Sequence, residues 1–417
     1  MYTKDEAQAY LQEHDVKFIK LFFIDMFGAI KSLSIQPSEM ARAFETGIAF
    51  DANAVAGFAG VAQDLFIVPD PATLCVLPWR PQDGRVVRFF CTVRTADGTA
   101  FPGDSRKLLR QTVERLAEKG YECKIGTECE FYLFQRDDKG NPTRTPHDAA
   151  GYCDLAPRDR GENVRREICL TLEQMGVQPE SSHHEKGPGQ NEVDFRRGTP
   201  LDAADNLSTF KTVVKTVADR YGLFASFLPK PVADGAGSGL YINIALYKGN
   251  KNLLTNLSLF PEARAFIAGI LFRIREITAF LNPLRESYDR LAWHGAPREI
   301  AWTREQRNQL VRVPEPTEHG AYLKLRSPDP SCNQYLALAL ILSAGLEGIE
   351  QGLALAEPKQ ADSPGWDGGA AFDSLPRDLT EARSCARESA FVRTVLPQTT
   401  VEAFLAAEAD DPAFGTV

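Results

Sequence analysis

Three absences limit what this chain can be. No apolar run reaches the roughly 18 residues of a membrane span. The opening stretch, MYTKDEAQAYLQEHD, has the pattern of an amphipathic helix and lacks the apolar core of a signal peptide. The net charge is −9 at pH 7 and the basic residues are scattered, whereas nucleic-acid binding needs a concentrated basic face. We therefore expect no membrane partner and no nucleic-acid partner.

Cysteine pairs of the C-x-x-C type are also absent. The eight cysteines lie mostly among apolar neighbours, as buried free thiols do. A reducing, cytoplasmic location is the simplest interpretation. The composition, 43% hydrophobic and 25% charged, is otherwise that of an ordinary globular protein.

The apolar pattern predicts an α+β protein of two domains. Residues 16–35 alternate in two runs around an Asp-Met-Phe-Gly turn, which is typical of a β-hairpin. Near FPGDSRKLL a cluster of turn residues gives way to a long helical pattern. We therefore expect a small β-rich domain over residues 1–100 and a larger α+β domain with an antiparallel sheet over residues 101–417.

Five long helices are expected in the second domain. One segment, over residues 333–353, is apolar nearly all round and must therefore be buried. The other predicted helices cover residues 105–119, 162–175, 203–221 and 258–280.

The stretch AYLKLR, residues 321–326, has the alternation of a half-buried strand. Its three apolar residues share one side, and Tyr322, Lys324 and Arg326 share the other. Side chains two residues apart put the two cations about 7 Å from each other. A buried cation without a partner is costly, so an anion is expected opposite them: a substrate, a metal site or a salt bridge.

Four glutamates supply candidate anions. In GTECEFYLF, Glu128 and Glu130 share one strand face, and in HHEKGPGQNEVDF, Glu185 and Glu192 bracket a Gly-Pro-Gly turn. Each pair alone could be an exposed edge or a charged loop, because neighbouring carboxylates repel each other without a cation. The last third of the chain also carries Arg290, Arg307, Arg312 and Arg326. Together these residues suit a site that holds Mg²⁺ and transfers phosphoryl groups.

These motifs resemble those of the glutamine synthetase family, in family order and over nearly the whole chain. Besides the glutamate motifs, the resemblance includes FDANAVAGF, LPKP followed by GSGLYINIAL, and three arginine-bearing segments, SYDRL, APREIAWTREQRNQLVRVP and RSPDPSCNQYLALALILSAGLEGI. It implies an N-terminal β-grasp domain and a catalytic domain with a funnel-shaped antiparallel sheet. It also implies hexameric rings, single or stacked in pairs, whose sites form between neighbouring subunits.

The family joins ammonia or an amine to the γ-carboxylate of glutamate, using ATP and passing through a γ-glutamyl phosphate. Two Mg²⁺ or Mn²⁺ ions clamp the transferred phosphoryl group. The resemblance implies that Glu130, Glu185 and Glu192 hold the first ion.

At the second ion the chain departs from the family. Glu128 matches one of three ligands, but Tyr241 replaces the ligand histidine and Lys324 replaces the other glutamate. Asn243 replaces a histidine near the phosphate. We predict that no divalent ion binds there, and that the Lys324 ammonium pairs with Glu128 with the Tyr241 hydroxyl close by.

The resemblance assigns further roles. Asp51 and Asp64 match acidic residues that a neighbouring subunit offers to the ammonium, and Gly237 matches a glycine that contacts the substrate, although Ala236 replaces the asparagine before it. His183 matches a residue near the nucleotide. The four arginines match those that bind the substrate carboxylates, the nucleotide phosphates and the transferring phosphoryl group: Arg290 and Arg326 for the substrate, Arg307 and Arg312 for the nucleotide. The resemblance also implies catalytic roles for Asp51, Arg307 and Arg326.

Two family features lack a counterpart. The flap glutamate that closes the site has no match in LAWHGAP, which is one residue short and shows His294 and Gly295 there. A nucleotide-proximal arginine appears as Tyr322.

Three hypotheses follow. The chain is an ATP-dependent ligase with an altered second site and a different amine or acid; or it is a non-catalytic paralogue that keeps the ring and binds a ligand; or it is an ordinary glutamine synthetase that tolerates these changes. The retained first-site glutamates and arginines favour the first hypothesis, and the lost histidine and glutamates favour the second.

Overall fold

A computed structural model of the chain describes residues 2–58, 63–80, 84–293, 296–317, 320–359 and 373–407. Within these described residues, the N-terminal part contains two α-helices and six strands. They are α1 (Lys4–Glu13), β1 (Val16–Ile24), β2 (Ile30–Ile35), α2 (Met40–Glu45), β3 (Ile48–Phe50), β4 (Leu65–Pro69), β5 (Cys75–Val76) and β6 (Arg85–Arg94).

These six strands form one mixed sheet in the order β2-β1-β6-β4-β3, with β5 added to β6. The predicted hairpin is present, since β1 and β2 pair antiparallel. β1 also pairs parallel with β6, so the first and last strands of this part lie side by side at the centre. This arrangement and the mixed helices and sheets of the remainder confirm the predicted fold class.

The turn of the hairpin docks onto the second part of the chain. Gly28 has φ +91°, and a Cβ at this position would lie 2.9 Å from the Cα of Asn333. The Asn333 amide donates to the carbonyl of Met26 at 3.0 Å. A glycine is therefore required here both for the backbone conformation and for the close approach.

The second part alternates helices and strands. Its elements are α3 (Ser105–Glu118), β7 (Tyr121–Arg136), β8 (Pro142–Pro146), α4 (Glu162–Gln174), β9 (Pro179–His184), β10 (Gln190–Phe195), α5 (Pro200–Arg220), β11 (Leu223–Ser226), β12 (Leu240–Lys248), β13 (Lys251–Asn252), α6 (Pro261–Leu281), α7 (Arg285–Ala292), β14 (Trp302–Thr303), β15 (Val311–Arg312), β16 (Leu323–Leu325), α8 (Gln334–Gln351), α9 (Leu379–Glu388), α10 (Ala390–Val395) and α11 (Gln398–Ala406).

A ten-stranded sheet organises this part, in the order β14-β15-β16-β12-β7-β10-β9, with β8 and β11 on β7 and β13 on β12. The pairs around β7, β12 and β16 are antiparallel. The sixteen-residue β7 is its longest strand and pairs with both β10 and β12. Side chains of the three central strands therefore meet on one face.

The predicted helices are present with small shifts at their starts. α5 begins at Pro200 and α6 at Pro261, because proline at the first helical position loses no hydrogen bond. Residues 334–346 of α8 are all buried, as its apolar pattern predicted. In the part of the chain that the structure describes, no helix is long and apolar enough to cross a membrane.

Candidate active site

Two strand pairings bring the acidic side chains together. β7 pairs with β10 so that Glu130 lies opposite Glu192 and Glu128 lies opposite Asp194. On its other edge β7 pairs with β12, where Tyr241 lies opposite Glu128. Residues directly opposite each other in an antiparallel pair have Cβ atoms about 4.5–5.5 Å apart. The sheet register thus places four carboxylates side by side.

The Gly-Pro-Gly turn adds a fifth carboxylate. Glu185 follows β9, and its N–H donates to the carbonyl of Gln190 at 2.8 Å. The Gln190 side chain accepts from the Gly187 N–H at 2.9 Å and donates to Glu130 Oε2 at 3.2 Å and to the Gly237 carbonyl at 3.1 Å. One amide therefore joins the turn, the strand glutamate and the glycine loop. Sequence reasoning missed Gln190, although its position just after Gly-Pro-Gly was visible.

A cavity of about 130 Å³ lies between this turn and the arginine-bearing segments. Its lining includes five of the residues that the sequence singled out, together with Tyr241: Glu130, Glu185, Gly237, Arg290 and Arg326. Predicted metal ligands and predicted substrate residues therefore face one small space.

The carboxylates at this face perturb one another. Burial, then the charges of Glu130 and Asp194, raises the pKa of Glu192 to about 11. Burial, then Glu185, likewise raises the pKa of Glu130. Burial also acts to raise the pKa of Glu185, but a hydrogen bond with His183 and one from the backbone of Lys186 outweigh it and lower that pKa. Such a cluster disfavours full ionisation unless a cation is present.

The donors suit a hard divalent cation, because Mg²⁺ and Mn²⁺ prefer carboxylate oxygens. Among the described residues, two groups on this face have three ligand atoms within 4.8 Å of one another: His183, Glu185 and Glu192; and Glu128, Glu192 and Asp194. Glu130 is in neither group, and its Oε2 accepts from the Gly239 N–H at 2.7 Å. The trio Glu130, Glu185 and Glu192 stays a prediction.

The ammonium of Lys324 faces Glu128. Lys324 Nζ lies 2.5 Å from Glu128 Oε1 and 2.7 Å from Oε2, and these side chains are 12% and 16% exposed. Asn243, which lies opposite Lys324 in the β12–β16 pair, donates to Glu128 Oε1 at 2.9 Å. The anion opposite the lysine is thus a protein carboxylate that is already bonded twice.

The ring of Tyr241 lies near two cations. Its ring centre lies 4.3 Å from the Arg326 guanidinium carbon and 5.7 Å from Lys324 Nζ, and its side chain acts to lower the pKa of Glu130. Burial raises the pKa of Tyr241 far above its ordinary value, so the hydroxyl stays protonated. The Tyr241 ring is therefore within cation–π distance of Arg326 and Lys324, and the closeness of its hydroxyl to the Lys324–Glu128 pair stays a prediction.

Of the arginines, Arg290 is buried and bonded to the backbone, whereas Arg312 and Arg326 each keep a nitrogen without a partner in the described chain. Arg290 is 4% exposed and donates to the Ser327 carbonyl at 2.8 Å and to the Arg326 carbonyl at 3.1 Å. A Cβ at Gly237 would lie 2.7 Å from Arg290 Cγ, so this contact requires glycine. By contrast, Nε of Arg312 and Nε of Arg326 are buried without a hydrogen-bond partner in the described chain. Each can therefore donate to a bound ligand or to water.

The predicted nucleotide residues are His183, Arg307 and Arg312, and their shared role stays a prediction. His183 Nε2 lies 3.0 Å from Glu185 Oε1, and the Tyr152 ring meets the His183 ring edge-on at 5.2 Å. Arg307 is exposed and acts electrostatically on Tyr152. Arg312 lies opposite Lys324 in the β15–β16 pair. A cavity of about 480 Å³ borders His183.

A buried histidine and an aspartate support the Gly-Pro-Gly turn. His184, fully buried, lies with Nε2 2.9 Å from Asp148 Oδ1, and Asp148 also accepts from the Gly189 N–H at 2.9 Å. These two residues are a pair that sequence reasoning did not identify, because they are 36 residues apart.

Several predicted residues lie elsewhere. Asp51 and Asp64 are exposed in the N-terminal part, and Asp51 accepts from the Asn53 N–H at 2.9 Å. Their role toward a neighbouring subunit stays a prediction. Tyr322 is half-buried under Arg197, whose guanidinium carbon lies 4.9 Å from the ring centre. His294 and Gly295, where a flap glutamate was sought, lie outside the described residues.

Family models match both parts of the chain. Residues 15–96 match the glutamine synthetase β-grasp domain, and residues 102–413 match the glutamine synthetase catalytic domain. The chain is 40% identical to a glutamine synthetase of Clostridium saccharobutylicum, with 95% of this chain and 91% of that protein covered. It is 41% identical to a glutamine synthetase of Methanosarcina mazei, with 97% and 93% covered.

Solved structures agree. A structure described as "GmaS/ADP complex-Conformation 1" superposes with a TM-score of 0.86 at 29% identity, covering 96% of this chain and 94% of that one. The Plasmodium falciparum glutamine synthetase superposes with a TM-score of 0.86 at 19% identity, covering 97% and 95%, and shows the fold alone. The chain belongs to the glutamine synthetase family and is an ATP-dependent ligase of that class.

Proposed function

We propose that the chain joins ammonia or a small amine to the side-chain carboxylate of a glutamate-like acid, using ATP and passing through an acyl phosphate. The observation that supports this most directly is the meeting of Glu130, Glu185 and Arg326 at one small cavity. Phosphoryl transfer depends mainly on position and charge, and this cavity offers carboxylates beside a guanidinium.

Each arginine has a separate role in this proposal. Arg326 directs its unpaired Nε toward the substrate carboxylate or the transferring phosphoryl oxygens. Arg290 holds Arg326 through two backbone carbonyls and closes the substrate side beside Gly237. Arg307 and Arg312 face the nucleotide phosphates, and His183 lies near the nucleotide.

Glu130, Glu185 and Glu192 are the residues proposed to hold a divalent cation, Mg²⁺ or Mn²⁺. Their buried oxygen donors and raised pKa values at Glu130 and Glu192 fit such an ion. When bound, the ion supplies charge neutralisation for the phosphoryl oxygens.

We propose that no divalent ion occupies the second metal position, although Glu128, Glu192 and Asp194 have ligand atoms within 4.8 Å of one another. Of three expected ligands only Glu128 remains, and its oxygens are bonded to Lys324 and Asn243. We propose that the fixed ammonium takes over part of the charge of the missing ion, as lysine does on many phosphates. The site thus works with one divalent ion and one ammonium.

We also propose an altered amine or acid specificity. Tyr241, with its ring beside Arg326, lines the cavity where the resemblance expects an imidazole. Ala236 lines the same cavity in place of an asparagine. In a homo-oligomeric ring, Asp51 of one subunit would complete the amine site of the next.

A substrate panel tests the proposal. Phosphate release from ATP is measured with Mg²⁺ or Mn²⁺, glutamate and related acids, and ammonia or small amines. We expect turnover that requires an acid, an amine and the metal together, with a preference other than glutamate plus ammonia. A clear preference for glutamate plus ammonia would instead support an ordinary glutamine synthetase.

The non-catalytic alternative rests on the Lys324–Glu128 pair, which fills a metal position. It predicts that calorimetry detects ATP with Mg²⁺ while no acid–amine combination releases phosphate. Identity of 40–41% to glutamine synthetases over nearly the whole chain favours the enzyme.

A further inference from the structure

A second cavity, rich in lysine, lies where the β1–β2 turn meets helix α5. Its volume is about 340 Å³, a size that suits a small ligand. The turn contributes residues 27–31, α5 contributes Lys211 and Lys215, and Ser331 closes it from the loop before α8. It shares no lining residue with the 130 Å³ cavity of the carboxylate face.

The lining is strongly positive. Lys31, Lys211 and Lys215 all border the cavity, and its lining, all within the described residues, contains no aspartate or glutamate. Lys211 and Lys215 are four residues apart on one helix, so their Cβ atoms lie about 5–6 Å apart and like charges there repel. Burial, then the charge of Lys211, lowers the pKa of Lys215 to about 8.

A neighbouring carboxylate offsets the charge of one of these three lysines. The Lys211 ammonium donates to the carbonyl of Pro330 at 2.5 Å, which is a neutral acceptor. Lys31 Nζ lies 3.3 Å from the fully buried carboxylate of Asp25. Asp25 also accepts from the N–H groups of Phe27 and Ala29 at 3.0 and 2.9 Å, so it is engaged in shaping the turn.

The remaining walls offer both apolar contact and hydroxyl groups. Phe27 and Ile30 border the cavity from the turn, while Thr212 and Thr216 border it from α5. Their hydroxyls donate to helix carbonyls at 3.1 and 2.8 Å. Carbon atoms of a ligand can therefore pack against the turn while its charged ends lie near the ammonium groups.

We propose that this cavity binds a small organic dianion, a dicarboxylate or a phosphate monoester, held by Lys31, Lys211 and Lys215. Two negative charges would relieve the repulsion along α5 and bridge it to the hairpin turn. The proposal does not depend on the chemistry at the carboxylate face.

Calorimetric titration of the assembled wild-type protein tests it, with succinate and glycerol phosphate as the two dianions and acetate as the monoanion. We expect saturable binding of at least one dianion and much weaker binding of acetate. Which dianion binds separates the dicarboxylate from the phosphate ester.

Four variants locate the binding. Lys215→Met and Lys31→Met each remove one ammonium and keep most of the side-chain length, and each should weaken dianion binding at least tenfold. Lys251→Met removes the same charge at an exposed position outside the cavity and should leave binding unchanged. Arg326→Met, which alters the arginine site, should leave the cavity's binding in place.

Three outcomes would overturn the proposal. They are equal dianion binding in wild type and Lys215→Met, complete loss in Arg326→Met, and a structure of the assembly in which a neighbouring copy's carboxylate fills the cavity. Failure of the ligase assay leaves all three readouts unaffected, so the two proposals fail separately.

Discussion

The two ends of the acidic face differ although they are only two residues apart on one strand. Around Glu130, carboxylates meet carboxylates, and the charge of Glu192 is suppressed by burial and by its neighbours. Around Glu128, a lysine and an asparagine already bond the carboxylate. One end therefore needs an added cation, and the other carries its cation within the chain.

This contrast separates two ways of meeting one electrostatic requirement. A divalent ion brings two charges but must be taken from solution, whereas a lysine brings one charge fixed by packing and available without metal. The effects of substitutions near Glu130 should therefore depend on added metal, and the effects of uncharged substitutions near Glu128 should not.

The largest effect is expected from Lys324→Met. It removes the cation beside a mostly buried carboxylate, and breaking a buried pair in this way costs about 3–5 kcal/mol of unfolding free energy. Urea unfolding measures it. Lys248→Met, which removes a surface lysine paired with Glu262, is the matched control and should unfold like wild type. Equal midpoints for both variants would show that the Lys324 pair has no special weight.

Glu130→Gln should act on activity rather than on folding. The amide keeps the shape and the hydrogen-bonding capacity but removes the charge proposed to hold a divalent ion, so turnover should fall about 10²–10³-fold. Steady-state phosphate release with Mg²⁺ measures this. Asp194→Asn, an equivalent change on the same sheet face, should have a smaller effect. Retention of most activity in Glu130→Gln would contradict the proposed first metal site.

A sharper test is to convert the surroundings of Glu128 into a metal site like the one proposed at Glu130. Lys324→Glu alone places a carboxylate beside Glu128 and should destabilise the protein in metal-free buffer, with recovery when Mn²⁺ is added. Combined with Tyr241→His, it restores the ligand types that the family uses, so Mn²⁺ stoichiometry should rise from one to two per chain. Calorimetry counts the ions, and two ions already bound in wild type would refute the comparison.

The smallest expected effect is that of Asn243→Ala. The variant loses one hydrogen bond to Glu128 while Lys324 remains. A hydrogen bond to a charged group contributes about 1.5–3 kcal/mol to the free energy of unfolding. Because the Glu128 side chain is 16% exposed, water can replace the amide and we expect about 1 kcal/mol. If Asn243→Ala lowered the free energy of unfolding as much as Lys324→Met, Asn243 rather than Lys324 would be the main partner of Glu128.

The sequence predicted strands and buried helices well, because each follows from the spacing of apolar residues along a short segment. The alternation of residues 321–326 is dictated by the period of a strand, and the apolar α8 could only be buried. The neighbours of the Tyr241 ring were not predictable in this way, because they depend on where other segments place Arg326 and Lys324. Gln190 and the His184–Asp148 pair were missed for the same reason: their roles follow from contacts between turns, and no short motif encodes such contacts.

The side chain of Asn333 connects two parts of the folded chain that are made far apart in time during synthesis. Its amide oxygen accepts from the N–H groups of Tyr335 and Leu336 at the start of α8, and its nitrogen donates to the hairpin carbonyl of Met26. A ribosome makes the hairpin first and the cap some 300 residues later. The hairpin turn can therefore dock on the start of α8 only after most of the chain has been made.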